Sequence, residues 1–246
     1  MASVVLDQPE RRNPHSPYLW ERLALVPGQL SQLTPDIRVV VVRAEGPSFS
    51  AGLDRRMFTP EGIPGQPSLL DLSRASADEF DSMVAGFQSA FSWLRDPARL
   101  TVAAVQGHAV GAGFQLALAC DLRIVADDVS LSMKETALGL VPDLGGTAPL
   151  VECIGYARAL ELCVTGRAMG AAEAVASGLA LRSVPADDLA AATDSLVESL
   201  LVAPLGAVQA TKALLLSASR NDYPTQLAAE RAAQAGRIAA LAQQLG

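Results

Sequence analysis

The chain has 246 residues, 50% of them hydrophobic and 18% charged, enough for one large domain with or without a small appendage. A formal net charge of −7 excludes a broad nucleic-acid footprint, although a local Arg/Lys patch can still hold an anionic ligand. Three cysteines in apolar stretches and only two histidines point to buried thiols in a reducing compartment, with neither a disulfide framework nor a zinc site.

The N-terminus lacks a basic start followed by an apolar segment, and the alanine-rich stretches are interrupted by Arg, Asp, Gln or Gly. The expectation is a soluble cytoplasmic protein without signal peptide or membrane span. "SVVLDQPERRNP" predicts a short strand that turns at Pro9, with Pro14 keeping Asn13 extended. "IRVVVVRAEG" (37–46) is a continuous apolar run, the pattern of a strand buried on both faces. "PSFSAGLDRRMF" follows as a turn centred on Gly52.

Residues 59–76 are rich in Pro, Gly and Ser and read as a long loop of the kind kept for lids or pockets. "ADEFDSMVAGFQSAFSWLRDP" predicts a helix with a core stripe of Phe80, Met83, Val84, Phe87, Phe91 and Leu94. "LTVAAVQG" (100–107) is a second buried strand and feeds a helix that opens at Gly107, Gly111 and Gly113. "LRIVADDVSLSM" gives one or two short strands, and "GTAPLVECIGYARALELCVTG" and "GAAEAVASG" each contain a helix. "LALRSVP" is a strand before "ADDLAAATDSLVESLLV", and the chain after Pro204 is almost wholly helical. These elements define an α/β core with a helical C-terminal region.

Three segments carry the chemistry: "FSAGLD" (49–54), "GHAVGAGFQLALACDLRI" (107–124) and "SMKETALGLVPDLGG" (132–146). The first two each place a glycine turn after an apolar strand, where a ligand can approach the backbone. The first amides of a helix have no intrahelical acceptor, and the helix dipole adds partial positive charge there. Two such N–H groups converging would form an oxyanion hole, whose donors are each worth about 3 kcal/mol in catalysis.

Together with "LDQPERRNP", "ETALGLVPDLGGT" and "CVTGRAMGAAEAVASGL", these segments resemble the crotonase (enoyl-CoA hydratase/isomerase) superfamily over most of the chain. The resemblance implies a spiral of ββα repeats over residues 1–190. It also implies a helical region at 191–246 that mediates homotrimer or dimer-of-trimers assembly. It implies an acyl-CoA substrate whose thioester enolate is held by the N–H groups of Leu53 and Ala112, with no cofactor beyond coenzyme A itself. Arg11, Arg55 and Arg56 would meet the coenzyme A phosphates, with Lys212 a weaker candidate. The chain ends "AAQAGRIAALAQQLG", without the aromatic-basic tail common in longer members, which leaves the adenine contacts open.

Hydratases of this family use two glutamates. The second is present here as Glu135, while Gln115 stands in place of the first. An amide can position water or a thioester but cannot exchange a proton near neutral pH. Since acid–base groups contribute roughly 10²- to 10⁴-fold, hydration should suffer more than double-bond isomerisation with Glu135 as single base. Asp143 stands where family dienoyl-CoA isomerases and 3-hydroxyisobutyryl-CoA hydrolases carry an acid. It is either a second catalytic acid or a cap on the following helix. The alternatives that remain are hydration or thioester hydrolysis by Glu135 with Asp143, or a non-catalytic acyl-CoA-binding protein. His108 is read as packing and Asp54 as a residue that stabilises its turn.

Overall fold

The computed structural model describes residues 1–33 and 37–245, so Gly246 at the end of the expected C-terminal region lies outside the described residues. The strands are β1 (Ala2–Leu6), β2 (Val39–Ala44), β3 (Leu100–Val105), β4 (His108–Val110), β5 (Leu122–Ala126), β6 (Ser130–Ser132), β7 (Met169–Gly170) and β8 (Arg182–Val184). A parallel sheet has the order β1-β2-β3-β5-β8. A small second sheet has the order β4-β6-β7, with only its β6–β7 pair antiparallel.

The helices are α1 (Pro17–Leu33), α2 (Leu69–Arg74), α3 (Ala77–Ser92), α4 (Ala112–Ala119) and α5 (Thr147–Ile154). They continue with α6 (Tyr156–Thr165), α7 (Ala171–Ala176), α8 (Leu189–Leu201), α9 (Leu205–Ala218) and α10 (Tyr223–Leu245). β3–β4–α4 and β5–β6–α5 repeat one unit: a strand in the large sheet, a strand in the small sheet, then a helix. This is the expected ββα pattern. No single described helix is long and apolar enough to cross a membrane.

The continuous valine runs follow from burial on both faces. Val39, Val41, Val102, Ala104, Ile124 and Ala126 pack against Leu189 and Val197 of α8. Their neighbours Val42, Ala44, Ala103, Val105 and Val125 face the main core, where all eight residues of α4 are buried. A helix apolar all round belongs in an interior, and this one carries its N-terminal amides into the centre of the molecule. The expected division after residue 190 falls inside α8, whose side chains close one face of the large sheet.

Several local expectations change. The helix α1 has no counterpart in the sequence reading. It carries Pro27 internally, and its core contacts are Pro17, Trp20, Leu23 and Leu30. The stretch 59–76 is not all loop: Ser68 and Asp71 form a capping box that starts α2. In α3 the predicted stripe is buried only towards its end, at Phe91 with Leu94 just beyond, while Phe80 is exposed. One predicted helix is two, because Gly155 (φ 78) separates α5 from α6. Asn13 is not extended but left-handed (φ 51). Its Oδ1 accepts from Gln8 N–H at 2.7 Å, and its Nδ2 donates to the carbonyls of Glu45 and Ser48 at 3.0 and 2.9 Å. Those bonds offset the cost of a positive φ.

Candidate active site

The turn at 49–54 is pinned amide by amide. Phe49 N–H donates to Gln106 O at 2.9 Å, Ser50 to His108 O at 2.8 Å, and Ala51 to Arg12 O at 2.7 Å. Gly52 N–H donates to Ser50 Oγ at 3.1 Å, and Asp54 N–H to His15 O at 2.8 Å. Among the described residues, Leu53 N–H alone in this run has no acceptor, because His15 bridges the residues on either side of it. Ala112 N–H, first in α4, likewise has no acceptor among the described residues.

The glycines bring these two turns together. A Cβ on Gly52 would lie 2.6 Å from Val110 O, and one on Gly113 would lie 2.4 Å from Ser50 Cβ. Only bare backbone permits that approach. The arrangement leaves two donors, Leu53 and Ala112, on adjoining turns.

Glu135 lies over the second turn. A Cβ on Gly111 (φ 49) would stand 3.1 Å from Glu135 Oε1 and 3.6 Å from Oε2, one residue before Ala112. Gln115 Nε2 donates to Glu135 Oε1 at 2.7 Å, while the buried Glu135 Oε2 has no hydrogen-bond partner among the described residues. Burial pushes the Glu135 carboxyl above the usual range; the Gln115 hydrogen bond opposes this and the charge of nearby Asp143 reinforces it. A carboxylate with one oxygen fixed and the other free suits proton abstraction.

Asp143 does not cap α5. The N-cap position is Gly146, with no side-chain cap, and the amides of Leu144 and Gly146 donate instead to Gln115 Oε1 at 2.9 and 3.2 Å. The Asp143 carbonyl accepts from Gln88 Nε2 of α3 at 2.7 Å, which fixes the turn. Asp143 is exposed as a residue, and partial desolvation of its carboxyl raises its pKa. The expected pair of acids is therefore within electrostatic reach, and Gln115 bonds both Glu135 and the turn that follows Asp143.

Asp54 is more than a local turn residue. Buried at 2% exposure, it caps the turn at 55–58 and accepts from Arg56 N–H at 3.0 Å. It pairs with both Arg56 and Arg11 at 2.9 Å. Burial alone would raise its pKa, but hydrogen bonds from Arg56 and Arg11 outweigh it and hold the group at about 2. Two of the three arginines expected to meet phosphates are thus gathered at one point beside Leu53. Arg55 is exposed and has no ion pair among the described residues.

Lys212 is turned inwards. Its ammonium pairs with Asp121 at 2.8 Å and donates to the carbonyls of Arg99 and Leu94 at 2.8 and 3.2 Å, so it stitches α9 to the core. His108 is exposed rather than packed, with Nδ1 3.3 Å from Ser48 Oγ. The histidine that matters to the turn is His15, fully buried, whose Nδ1 accepts from Trp20 Nε1 at 3.0 Å. Sequence reasoning missed it because its contribution is made by backbone atoms, which carry no residue signature. A separate cavity of about 590 Å³ lies beneath α9, lined in part by Leu118, Cys120, Leu200, Val208 and Lys212. No residue of the Leu53–Ala112–Glu135 cluster reaches it. Among the described residues, no group of three or more His, Cys, Asp or Glu is arranged to hold a metal ion.

Two turns with unpaired amide donors and a half-buried acid thus stand together in a ββα fold of the crotonase type. The sequence matches the enoyl-CoA hydratase/isomerase family over residues 1–244, and the chain belongs to that family, within the crotonase superfamily. It is 34% identical over 186 residues to the probable enoyl-CoA hydratase echA8 of Mycobacterium tuberculosis, covering 76% of this chain and 66% of that protein. It is 33% identical over 216 residues to the human mitochondrial Delta(3,5)-Delta(2,4)-dienoyl-CoA isomerase, covering 87% of this chain and 64% of that one. The chain thus spans just under two thirds of these curated relatives. An enoyl-CoA hydratase homologue from Thermobifida fusca, solved with acetoacetyl-CoA, superposes with a TM-score of 0.90 and 48% identity, covering 96% of this chain and 91% of that one.

Proposed function

We propose that this protein is an acyl-CoA isomerase that shifts the double bond of an enoyl-CoA, with Glu135 as its single base. The observation that carries the reading is the Gln115–Glu135 contact: position 115 supplies an amide donor at 2.7 Å, leaving one carboxylate with one unpartnered oxygen. The thioester oxygen accepts from Leu53 and Ala112 N–H, which favours the enolate formed when Glu135 Oε2 removes a proton from C2. Returning that proton to C4 completes the migration and regenerates the carboxylate. The acetoacetyl-CoA bound by the Thermobifida relative supports an acyl-CoA ligand, and the Arg11–Arg56 cluster at Asp54 offers guanidinium groups for its phosphates.

A second reading is favoured by Asp143, whose charge is felt at Glu135 and whose side chain caps nothing. With Asp143 as partner acid, the same site would isomerise a conjugated dienoyl-CoA, hydrate a 2-enoyl-CoA, or hydrolyse a thioester. The test is to give purified protein 3-enoyl-CoA, 3,5-dienoyl-CoA and 2-enoyl-CoA separately, following ultraviolet absorbance and free CoA thiol. Isomerisation of the first substrate without thiol release is expected. Hydration or thiol release as the fastest reaction would replace the single-base reading with the second. Calorimetric binding without turnover of any substrate would leave a binding protein.

A further inference from the structure

We propose that Gln115 is a positioning residue for the base: its one amide decides which Glu135 oxygen faces the substrate and joins that carboxylate to the turn bearing Asp143. The inference rests on Glu135 as the base and adds how it is held. Gln115 is only 1% exposed, so its contacts are with the protein rather than with solvent. Its oxygen receives two backbone donors, Leu144 N–H and Gly146 N–H. That fixes the amide's orientation, because a flipped group would set its NH₂ against two N–H groups and its oxygen against a carboxylate. The NH₂ therefore must point at Glu135, and it engages Oε1 alone.

Two consequences follow. Oε1 is committed, so Oε2 is the oxygen available to a substrate proton. The turn at 144–146 also moves with Glu135, because both are tied to one side chain at the start of the buried helix α4. Gly146 is needed for this closeness: a Cβ there would lie 2.7 Å from Gln115 Cγ. The titratable neighbours of Glu135 are Asp143, Cys163, whose thiol is raised by burial and then by Glu135, and Lys134, whose ammonium donates to Gly166 O. None of these replaces the Gln115 donor.

A glutamate at 115 would keep the two backbone donors on one oxygen and set its other oxygen against Glu135 Oε1. Two carboxylates in such contact share a proton and titrate as a pair. The test is a ¹³C-NMR pH titration of protein labelled at glutamate carboxyl carbons, with Glu135→Gln assigning the Glu135 signal. In Gln115→Glu the Glu135 signal should titrate in two coupled steps, the upper at least about one pH unit above the wild-type midpoint. In Gln115→Met the midpoint should also rise, since the donor is gone. The acidic limb of kcat should follow each shift, with KM changing less than about threefold.

A Glu135 midpoint within about 0.3 unit of wild type in both variants would overturn the proposal. If Gln115→Met fails to fold, the near-isosteric Gln115→Glu carries the test alone. Shifted NMR midpoints with an unmoved acidic limb would uphold the positioning and sink Glu135 as the base. The reverse failure, a Glu135→Gln variant without activity beside unshifted midpoints, would keep the base and remove the role of Gln115.

Discussion

Glu135 lies against Gly111, close enough that a methyl group on this glycine would stand 3.1 Å from Oε1. Gly111 has φ 49 and ψ −116, a conformation that side chains strain to adopt. The residue sits between the acid and the Ala112 N–H, so both demands fall on it at once. Gly111→Ala is expected to lower stability by about 1–3 kcal/mol and kcat at least about tenfold, since the base must give way. Thermal unfolding and steady-state kinetics on the same preparation check the two effects separately.

Asp54 anchors the arginine cluster, and its loss should be felt in stability and in ligand affinity. Its folded pKa, held at about 2 against an ordinary 3.8, means that its contribution is present above pH 3.8 and lost as pH falls towards 2. Asp54→Asn should remove about 1–3 kcal/mol at neutral pH, discounted because both arginines are partly exposed. It should also raise KM for acyl-CoA, as Arg11 and Arg56 lose their common anchor. Urea unfolding at pH 7 and pH 3 tests this: the gap between variant and wild type should shrink at the lower pH.

His15 acts in the same direction but at higher pH. Burial lowers its folded pKa from 6.5 to about 3, so the unfolded chain binds its proton first, and stability falls as pH drops below 6.5. Around it stand Trp20, Phe91 and the Asp54 backbone amide, and among the described residues no carboxylate oxygen is bonded to the ring. The loss expected between pH 7 and pH 5 is about 2 kcal/mol. Glu135 and Asp143, with raised pKa values, work the other way, so the measurement is the difference between wild type and His15→Gln. A flat difference across that range would contradict the assignment.

Lys212→Met separates structure from ligand binding. Removing the ammonium strands Asp121, whose Oδ2 also accepts from Thr101 N–H at 2.8 Å and Thr101 Oγ1 at 3.0 Å. A loss of about 2–4 kcal/mol in chemical denaturation is expected, with KM for acyl-CoA unchanged in the folded fraction. A raised KM at unchanged stability would return Lys212 to the ligand site.

Much of this was legible where backbone demands leave a residue signature. Gly52 and Gly111 announce turns with positive φ, and the valine runs of β2 announce burial on both faces. Glu135 was readable through the family resemblance, which places the second of two glutamates at that position. The rest depends on direction, which sequence does not encode. Lys212 points inwards, although the resemblance made it a weak ligand candidate, and the first turns of α3 point outwards although their helical spacing predicted a core stripe. The helix α1, which carries Pro27 internally, went unread in the sequence, and the role of His15 lies in its backbone. Gln115 looked like a missing acid; only the convergence of Leu144 and Gly146 amides on its oxygen shows why its NH₂ must face Glu135.

The most direct measurement of the central claim is the rate of 3-enoyl-CoA isomerisation by wild type and by Glu135→Gln, with near-ultraviolet circular dichroism confirming that both are folded. The account predicts that wild type forms 2-enoyl-CoA and that the variant loses at least about 10²-fold in kcat. A folded Glu135→Gln variant that isomerises at the wild-type rate would contradict it.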